Sequence, residues 1–390
     1  MIKQDIPKIR FYSYQGAWTE NRIADIVKIS AGGDVDKERL KEIGRYPVIA
    51  NALTNKGIVG FYDDYKVKAP AVTVTGRGDV GYAVARHENF TPVVRLLTLQ
   101  SENIDVDYLE NQINSIRILN ESTGVPQLTA PQLGNYKVYH PEIEEQSAIG
   151  SLFRTLDDLL ASYKDNLTNY QALKMTMLSK MFPKAGQRVP EIRLDGFEGE
   201  WEVIQLSDIC QKVTEKNKDN NFNETFTNSA EFGIISQRDF FEKDISNEKS
   251  LNAYYVVRNN DFVYNPRISN YAPVGPVKRN KLGRTGVMSP LYFVFRITNS
   301  NIDLNFLETF FNTNTWHKFM KLNGDSGARA DRFAIKDSTF LTMPIAFPSL
   351  PEQQAIGAYF SNLDNLINSH QEKISQLETL KKKLLQDMFI

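Results

Sequence analysis

Pro141-Glu142-Ile143-Glu144-Glu145-Gln146-Ser147-Ala148-Ile149-Gly150 returns 207 positions later as Pro348-Ser349-Leu350-Pro351-Glu352-Gln353-Gln354-Ala355-Ile356-Gly357. The echo continues. Phe153, Leu156 and Asp157 recur as Phe360, Leu363 and Asp364. Leu173, Lys174, Leu178, Met181 and Phe182 recur as Leu380, Lys381, Leu385, Met388 and Phe389. A second repeat has an offset of 183: Pro7, Ile9, Arg10, Gly16, Trp18, Asp25 and Ile26 return as Pro190, Ile192, Arg193, Gly199, Trp201, Asp208 and Ile209. Repeats decide organisation before single residues do. The chain reads as A1–B1–A2–B2, with A1 over 1–140, B1 over 141–183, A2 over 184–347 and B2 over 348–390. A2 opens on a short linker, Lys184–Arg188. Beyond their opening segments the A segments share little, so the reading is a constant frame around two different inserts.

The B segments read as long helices. Ile149, Leu152, Leu156, Leu159, Tyr163, Leu167, Tyr170, Leu173, Met177 and Met181 step mostly by three and four, close to a heptad seam. The matching run is Ile356, Tyr359, Leu363, Leu366, His370, Ile374, Leu377, Leu380, Leu384 and Met388. No proline interrupts either helical run after its first turn, and Pro141, Pro348 and Pro351 fall near the starts, where they are tolerated. Forty residues make a rod of about 60 Å. One amphipathic helix cannot bury its own stripe, so B1 is expected to pack on B2; core helices of two separate domains are the alternative.

The A segments mix strand and helix patterns, giving an α+β chain. Tyr46–Ala50, Ala71–Thr75, Pro92–Leu99, Ala253–Val257, Asp261–Tyr264 and Leu291–Ile297 read as strands. Tyr108–Asn120 and Asn305–Leu322 carry helical spacing.

Composition narrows the function. The 390 residues hold 41% hydrophobic and 24% charged residues, and 46 Lys+Arg against 47 Asp+Glu leave a net charge of −1. That excludes a histone-like protein but not a local basic face. The single cysteine, Cys210, excludes a disulfide framework or a Cys-rich zinc site. His87, His140, His317 and His370 form no close ligand pair. Neither a signal-peptide core nor a bilayer-spanning run is present, so a cytoplasmic protein with no membrane partner is expected.

Catalytic motifs fail on inspection. Gly76-Arg77-Gly78-Asp79-Val80-Gly81 matches G-x-G-x-x-G, but dinucleotide binding needs a helix to start there. Tyr82–His87 alternates like a strand instead, so a glycine-rich turn between strands is the reading. Tyr264-Asn265-Pro266-Arg267 lacks the second proline and the aromatic of the amino-methyltransferase motif. No phosphate loop, H-E-x-x-H or nucleophile elbow is present. The acidic pairs Asp63-Asp64 and Asp157-Asp158 have no metal cage around them. The expectation is a non-catalytic chain with no cofactor or metal of its own.

Recognition remains. Arg can pair bidentately with guanine and Asn with adenine, while Lys meets phosphate more often. In A2 the candidates are Asn265, Arg267, Ser269, Asn270 and Tyr271, the cationic run Lys278, Arg279, Lys281 and Arg284, and a glycine-led loop with Arg329 and Arg332. In A1 they are Arg45, Asn51, Asn55, Lys56, Arg77 and Arg86, with no comparable basic cluster.

With the motifs Pro-x-Ile-Arg…Gly-x-Trp, Pro-x-x-x-Glu-Gln-x-Ala-Ile-Gly and Leu-Lys…Leu…Met-Phe each present twice, the chain resembles the specificity (S) subunits of type I restriction-modification systems over essentially its whole length. The resemblance implies that each A segment is a target recognition domain reading half of a split sequence in double-stranded DNA. It implies that the B helices pair as an antiparallel coiled coil related by a pseudo-two-fold repeat, setting the spacer and docking two modification subunits. S-adenosylmethionine, and ATP with Mg, would act in modification and restriction partners. The family has no universal base-contacting residue, so the contact candidates rest on local chemistry. A protein-interaction scaffold that never touches DNA is the alternative. An enzyme with an unfamiliar site is a third reading.

Overall fold

A computed structural model describes residues 6–116, 118, 126–241, 248–329 and 331–389, the side chains of 240, 241, 248–250 and 326–329 excepted. The chain forms two compact units: Met1–Asn166 with His370–Ile390, and Leu167–Ser369. Each draws on both long helices, Ile143–Lys180 and Leu350–Asp387.

In the first unit a four-stranded antiparallel sheet has the order Lys28–Ala31, Leu96–Gln100, Ala71–Thr75, Ala83–Arg86. Val72, Val74, Leu97 and Leu99 turn onto Leu109 and Ile113 of the helix Val106–Ser115. A smaller sheet of Tyr46–Ile49, Ile58–Tyr62 and Thr91–Pro92 lies in the insert. Thr19–Arg22 pairs with Lys137–His140 and closes the frame.

The second unit repeats this plan. Its four-stranded sheet runs Cys210–Lys212, Phe293–Ile297, Phe262–Tyr264, Val277–Arg279, with the helix Leu304–Asn312 packed on it and Glu202–Gln205 paired with Pro344–Phe347. The strand order, taken in chain sequence, is identical in the two units. The A segments therefore share more than their sequences suggested. A third echo, at an offset of 198, marks the packing helix: Asn103-Ile104-Asp105-Val106-Asp107-Tyr108-Leu109-Glu110 against Asn301-Ile302-Asp303-Leu304-Asn305-Phe306-Leu307-Glu308.

The repeated motifs are now explained by contacts. Arg10 donates from Nε and Nη2 to the two oxygens of Glu145 at 2.6 Å each, and from Nη1 to the Gly16 carbonyl at 2.5 Å. Arg193 does the same to Glu352 at 2.8 and 2.7 Å and to the Gly199 carbonyl at 2.6 Å. Both glutamates are at most 2% exposed. A carboxylate can be buried so deeply only when paired and fully hydrogen-bonded. Gln146 accepts from the Asp105 amide and donates to the Pro141 carbonyl; Gln353 repeats this with Asp303 and Pro348. Asp105 and Asp303 cap their helices by accepting from Tyr108 N and Phe306 N. A Cβ on Gly150 would stand 2.5 Å from Asp105 Oδ1, and one on Gly357 2.7 Å from Asp303 Oδ1. The glycine of Glu-Gln-x-Ala-Ile-Gly thus lets the long helix approach the capped helix.

Within each unit the long helices run antiparallel. In the first, Lys381 pairs with Asp157 at 2.5 Å and Lys164 with Glu378 at 2.7 Å, while the Tyr163 ring meets His370. In the second, Lys174 pairs with Asp364, and Phe182 packs on Phe360. The seam is offset from the expected one: Ile149, Phe153, Leu156 and Leu160 are buried, as are Ile356, Phe360, Leu363 and Ile367. Leu159 and Leu366, placed in the seam by spacing, are 41% and 43% exposed.

The Met-Phe that ends each long helix serves the unit containing the start of the other. Met388 and Phe389 join Trp18, Tyr108 and Phe153 in the first unit; Met181 and Phe182 join Trp201, Phe306 and Phe360 in the second.

Three expected elements are interrupted. Pro92–Leu99 breaks at Arg95, whose φ is 68°, leaving Leu96–Gln100 as the strand. Asn305–Leu322 divides into Leu304–Asn312 and His317–Asn323. Between them Thr313 Oγ1 donates to the Phe310 carbonyl and bonds Thr315, side-chain bonding that competes with the helical ladder. Tyr108–Asn120 is helical only to Ser115, where Ile116 turns extended; residues 117 and 119–125 lie outside the described residues.

Candidate nucleic-acid interface

In the first unit one asparagine joins three loops. Asn51 accepts from Gly76 N at 2.8 Å and donates to the Val94 carbonyl at 3.0 Å. This fastens the turn 76–82 and the bulge at 93–95 to the Asn51–Gly57 loop, in which Asn55 and Lys56 adopt left-handed backbone at φ 49° and 50°. Lys56, Arg77 and Arg95 are exposed here, and Tyr82 and Leu53 lie on the same loops with 44% and 49% of their surface open. Arg45 is exposed and stacks over the Tyr46 ring at 5.1 Å. Arg95 was missed in the sequence; its signal was a cation interrupting an apolar strand.

Arg86 does not belong to that surface. It is 8% exposed, with Nε donating to Thr73 Oγ1 at 2.9 Å and Nη2 to the Lys56 carbonyl at 2.7 Å, and burial pulls its pKa down to about 10. Strand alternation points it inward, where it shapes the 51–57 loop.

In the second unit the segment 265–275 is laid against 331–333. Arg267 bridges Arg332, Ile268 N donates to the Asp331 carbonyl, and Phe333 N to the Pro266 carbonyl. Arg267, Ser269, Asn270 and Tyr271 are exposed on this edge, Tyr271 by 84%, and Arg332 is half-buried beside them. Arg329 is backbone-paired with Arg332, and its side chain lies outside the described residues. Asn265 is only 7% exposed: it donates to the Asn228 carbonyl and accepts from Arg267 N, so it holds the loop rather than facing outward.

The cationic run 278–284 is not a bare patch. Lys278 and Arg279 lie on the sheet beneath the helix Leu304–Asn312, and with Lys281 they line a polar cavity of about 450 Å³. Lys278 donates to Asn312 Oδ1 at 3.0 Å, and burial lowers its pKa against the opposing pull of Glu308. Arg279, 9% exposed, donates to Asn305 at 2.6 Å and pairs with Glu308 at 2.9 Å; Lys281 lies 3.6 Å from the same carboxylate. Arg284 forms two bonds of 2.7 Å with Glu224. Arg279 is thus neutralised inside the fold, while Lys281 and Arg284 are paired at the surface. The acids concerned lie far away in sequence, so adjacency of cations misrepresented the local charge.

Among the described residues, no group of three or more His, Cys, Asp or Glu could hold a metal ion, and no helix is long and apolar enough to cross a membrane.

Comparison with known proteins places this geometry. The type I restriction modification DNA specificity domain model matches residues 15–169 and again 198–379. The specificity subunit of the type I restriction enzyme MjaVIII of Methanocaldococcus jannaschii is 23% identical over 276 residues, covering 68% of this chain and 64% of that protein. The type I specificity subunit S.MpnORF507P of Mycoplasma pneumoniae is 26% identical over 143 residues, 35% of this chain and 39% of its own length. The chain thus spans less than two thirds of these curated relatives. Among solved structures, the S subunit of a type I restriction-modification system from M. genitalium has the same fold, with a TM-score of 0.66 at 15% identity and 99% of both chains covered. One family model fits twice, once over each frame and its insert, and together the matches take in most of the sequence: the chain belongs to the type I restriction modification DNA specificity domain family.

Proposed function

We propose that this chain is the sequence-reading subunit of a type I restriction-modification complex. Each unit reads one half of a split target in double-stranded DNA. The long helices set the number of unread base pairs and dock two modification subunits. In this reading the chain itself is not catalytic. Methyl transfer from S-adenosylmethionine belongs to the modification partners, ATP- and Mg-dependent cleavage to restriction partners, and the complex works in the cytoplasm.

The observation that supports this reading is one frame built twice around unlike inserts, each presenting exposed Arg, Lys, Asn or Tyr on tethered loops. A constant frame serves constant partners; differing inserts serve differing half-sites.

Phosphate neutralisation makes DNA affinity fall steeply with salt. With about six phosphate contacts, affinity for a duplex carrying the target should drop about 10³-fold between 50 and 200 mM salt. Filter binding of the assembled complex measures this. A flat salt response would instead indicate a scaffold that binds protein.

A further inference from the structure

We propose that Arg77 and Arg267 are equivalent base-reading side chains, each meeting the edge of a guanine in its own half-site. The inference rests on the DNA-reading function proposed above.

Both arginines lie on the hairpin joining the second and third strands, in chain order, of a four-stranded sheet: Ala71–Thr75 to Ala83–Arg86, and Phe262–Tyr264 to Val277–Arg279. Each hairpin leaves its sheet and is laid against the segment that precedes the closing strand. Leu128 N donates to the Gly76 carbonyl at 2.9 Å, and Phe333 N to the Pro266 carbonyl at 2.8 Å. In the next register position Arg77 bridges Gln127 and Arg267 bridges Arg332. The hydrogen bonds therefore align Gly76 with Pro266 and Arg77 with Arg267. The surrounding sequences, Gly-Arg-Gly and Pro-Arg-Ile, have nothing else in common.

Their side chains differ from those of several neighbouring arginines, though Arg95 is exposed like Arg77. Arg86 and Arg279 are buried and bonded, and Arg258, Arg284 and Arg296 are held by Glu215, Glu224 and Asp261. Arg77 and Arg267 are exposed and have no side-chain partner among the described residues.

The backbone beneath each is fixed in advance. Asn51 accepts from Gly76 N, and Asn265 accepts from Arg267 N at 3.0 Å. Gly76 admits no Cβ, because the Arg95 carbonyl occupies that position. A side chain on a pre-ordered loop loses less entropy on binding.

Guanine O6 and N7 match the guanidinium fork, and this is the commonest specific contact in the major groove. A lysine cannot reproduce the fork.

The test uses the full chain assembled with its modification subunits, and duplex pools randomised at each half-site. Arg267→Ala should relax one position of one half-site by about 5- to 150-fold, equivalent to ~1–3 kcal/mol, leaving the other half unchanged. Arg77→Ala should do the converse. Arg→Lys at either site should keep only part of the discrimination, because an ammonium can donate to guanine O6 and N7 but not as a fixed fork. A uniform loss across all sequences with a shallower salt slope would make these residues phosphate contacts and overturn the proposal. Wild-type complex that selects no sequence would instead remove the DNA-reading function itself. Selection by wild type that both alanine variants retain would refute the arginine assignment alone.

Discussion

Single residues in this chain are often fixed by partners that sequence does not place nearby. Glu110 lies on the helix Val106–Ser115, and burial, with the Asp157 charge adding to it, pushes its carboxyl up to about 7. Its counterpart Glu308 is instead paired with Arg279. A carboxyl raised above its unfolded value of about 4.5 binds its proton more tightly when folded. It therefore leaves stability intact below pH 4.5 and withdraws it progressively as pH climbs to 7. Glu110→Gln removes that dependence. Thermal unfolding of the variant should lose less stability than wild type between pH 5 and 7.5, the difference reaching at most about 3 kcal/mol. Parallel pH profiles for the two proteins would show that Glu110 ionises without penalty. Arg86, Asn265 and Arg279 illustrate what a sequence hides. Polar residues read as surface because most are, yet here strand alternation and distant acceptors carry them inward. Arg45, Lys56, Arg77, Arg267 and Tyr271 have short or loop-borne contexts, and exposure was legible for them.

Elements were read best where the pattern was unambiguous. Ala71–Thr75 forms the expected strand, and the glycine turn 76–81 joins it to Ala83–Arg86 rather than opening a helix. The long helices were also plain, since 38 residues pass without a break in each. Their seam was not. Leu159-Leu160, Tyr359-Phe360 and Leu366-Ile367 each offer two apolar neighbours, and three-four spacing accepts either. The structure selects the second of each pair. Leu160→Ala, at 7% exposure, should cost about 2–5 kcal/mol in denaturant unfolding, and Leu159→Ala, at 41%, under about 1 kcal/mol. Equal costs would put the seam between the two positions. The packing helices stayed hidden as a repeat because their offset of 198 lies between 183 and 207, shifted by inserts of different length on either side.

For the whole molecule, the proposed function makes the unread gap a property of helix length. Seven residues inserted at matching points of both long helices keep the heptad phase and add about 10 Å, or roughly three base pairs at 3.4 Å each. Mapping the target of the lengthened protein should show both half-sites unchanged and the gap widened; an unaltered gap would take the spacing role away from the helices. The duplicated frame was legible from the repeats, but the crossed use of the helix ends was not, because periodicity says nothing about which core a terminal Met-Phe enters. That crossing has a consequence for biosynthesis. The unit spanning Leu167–Ser369 is continuous in the chain, so its parts emerge from the ribosome in one stretch and it can close at once. The other begins upstream of it in the chain, yet Trp18, Tyr108 and Phe153 lack their last neighbours until residues 388 and 389 have been made. The usual N-terminal-first order of cotranslational folding is thereby inverted for these two units: the upstream one waits longer, its aromatic wall open to whatever chaperone reaches it first.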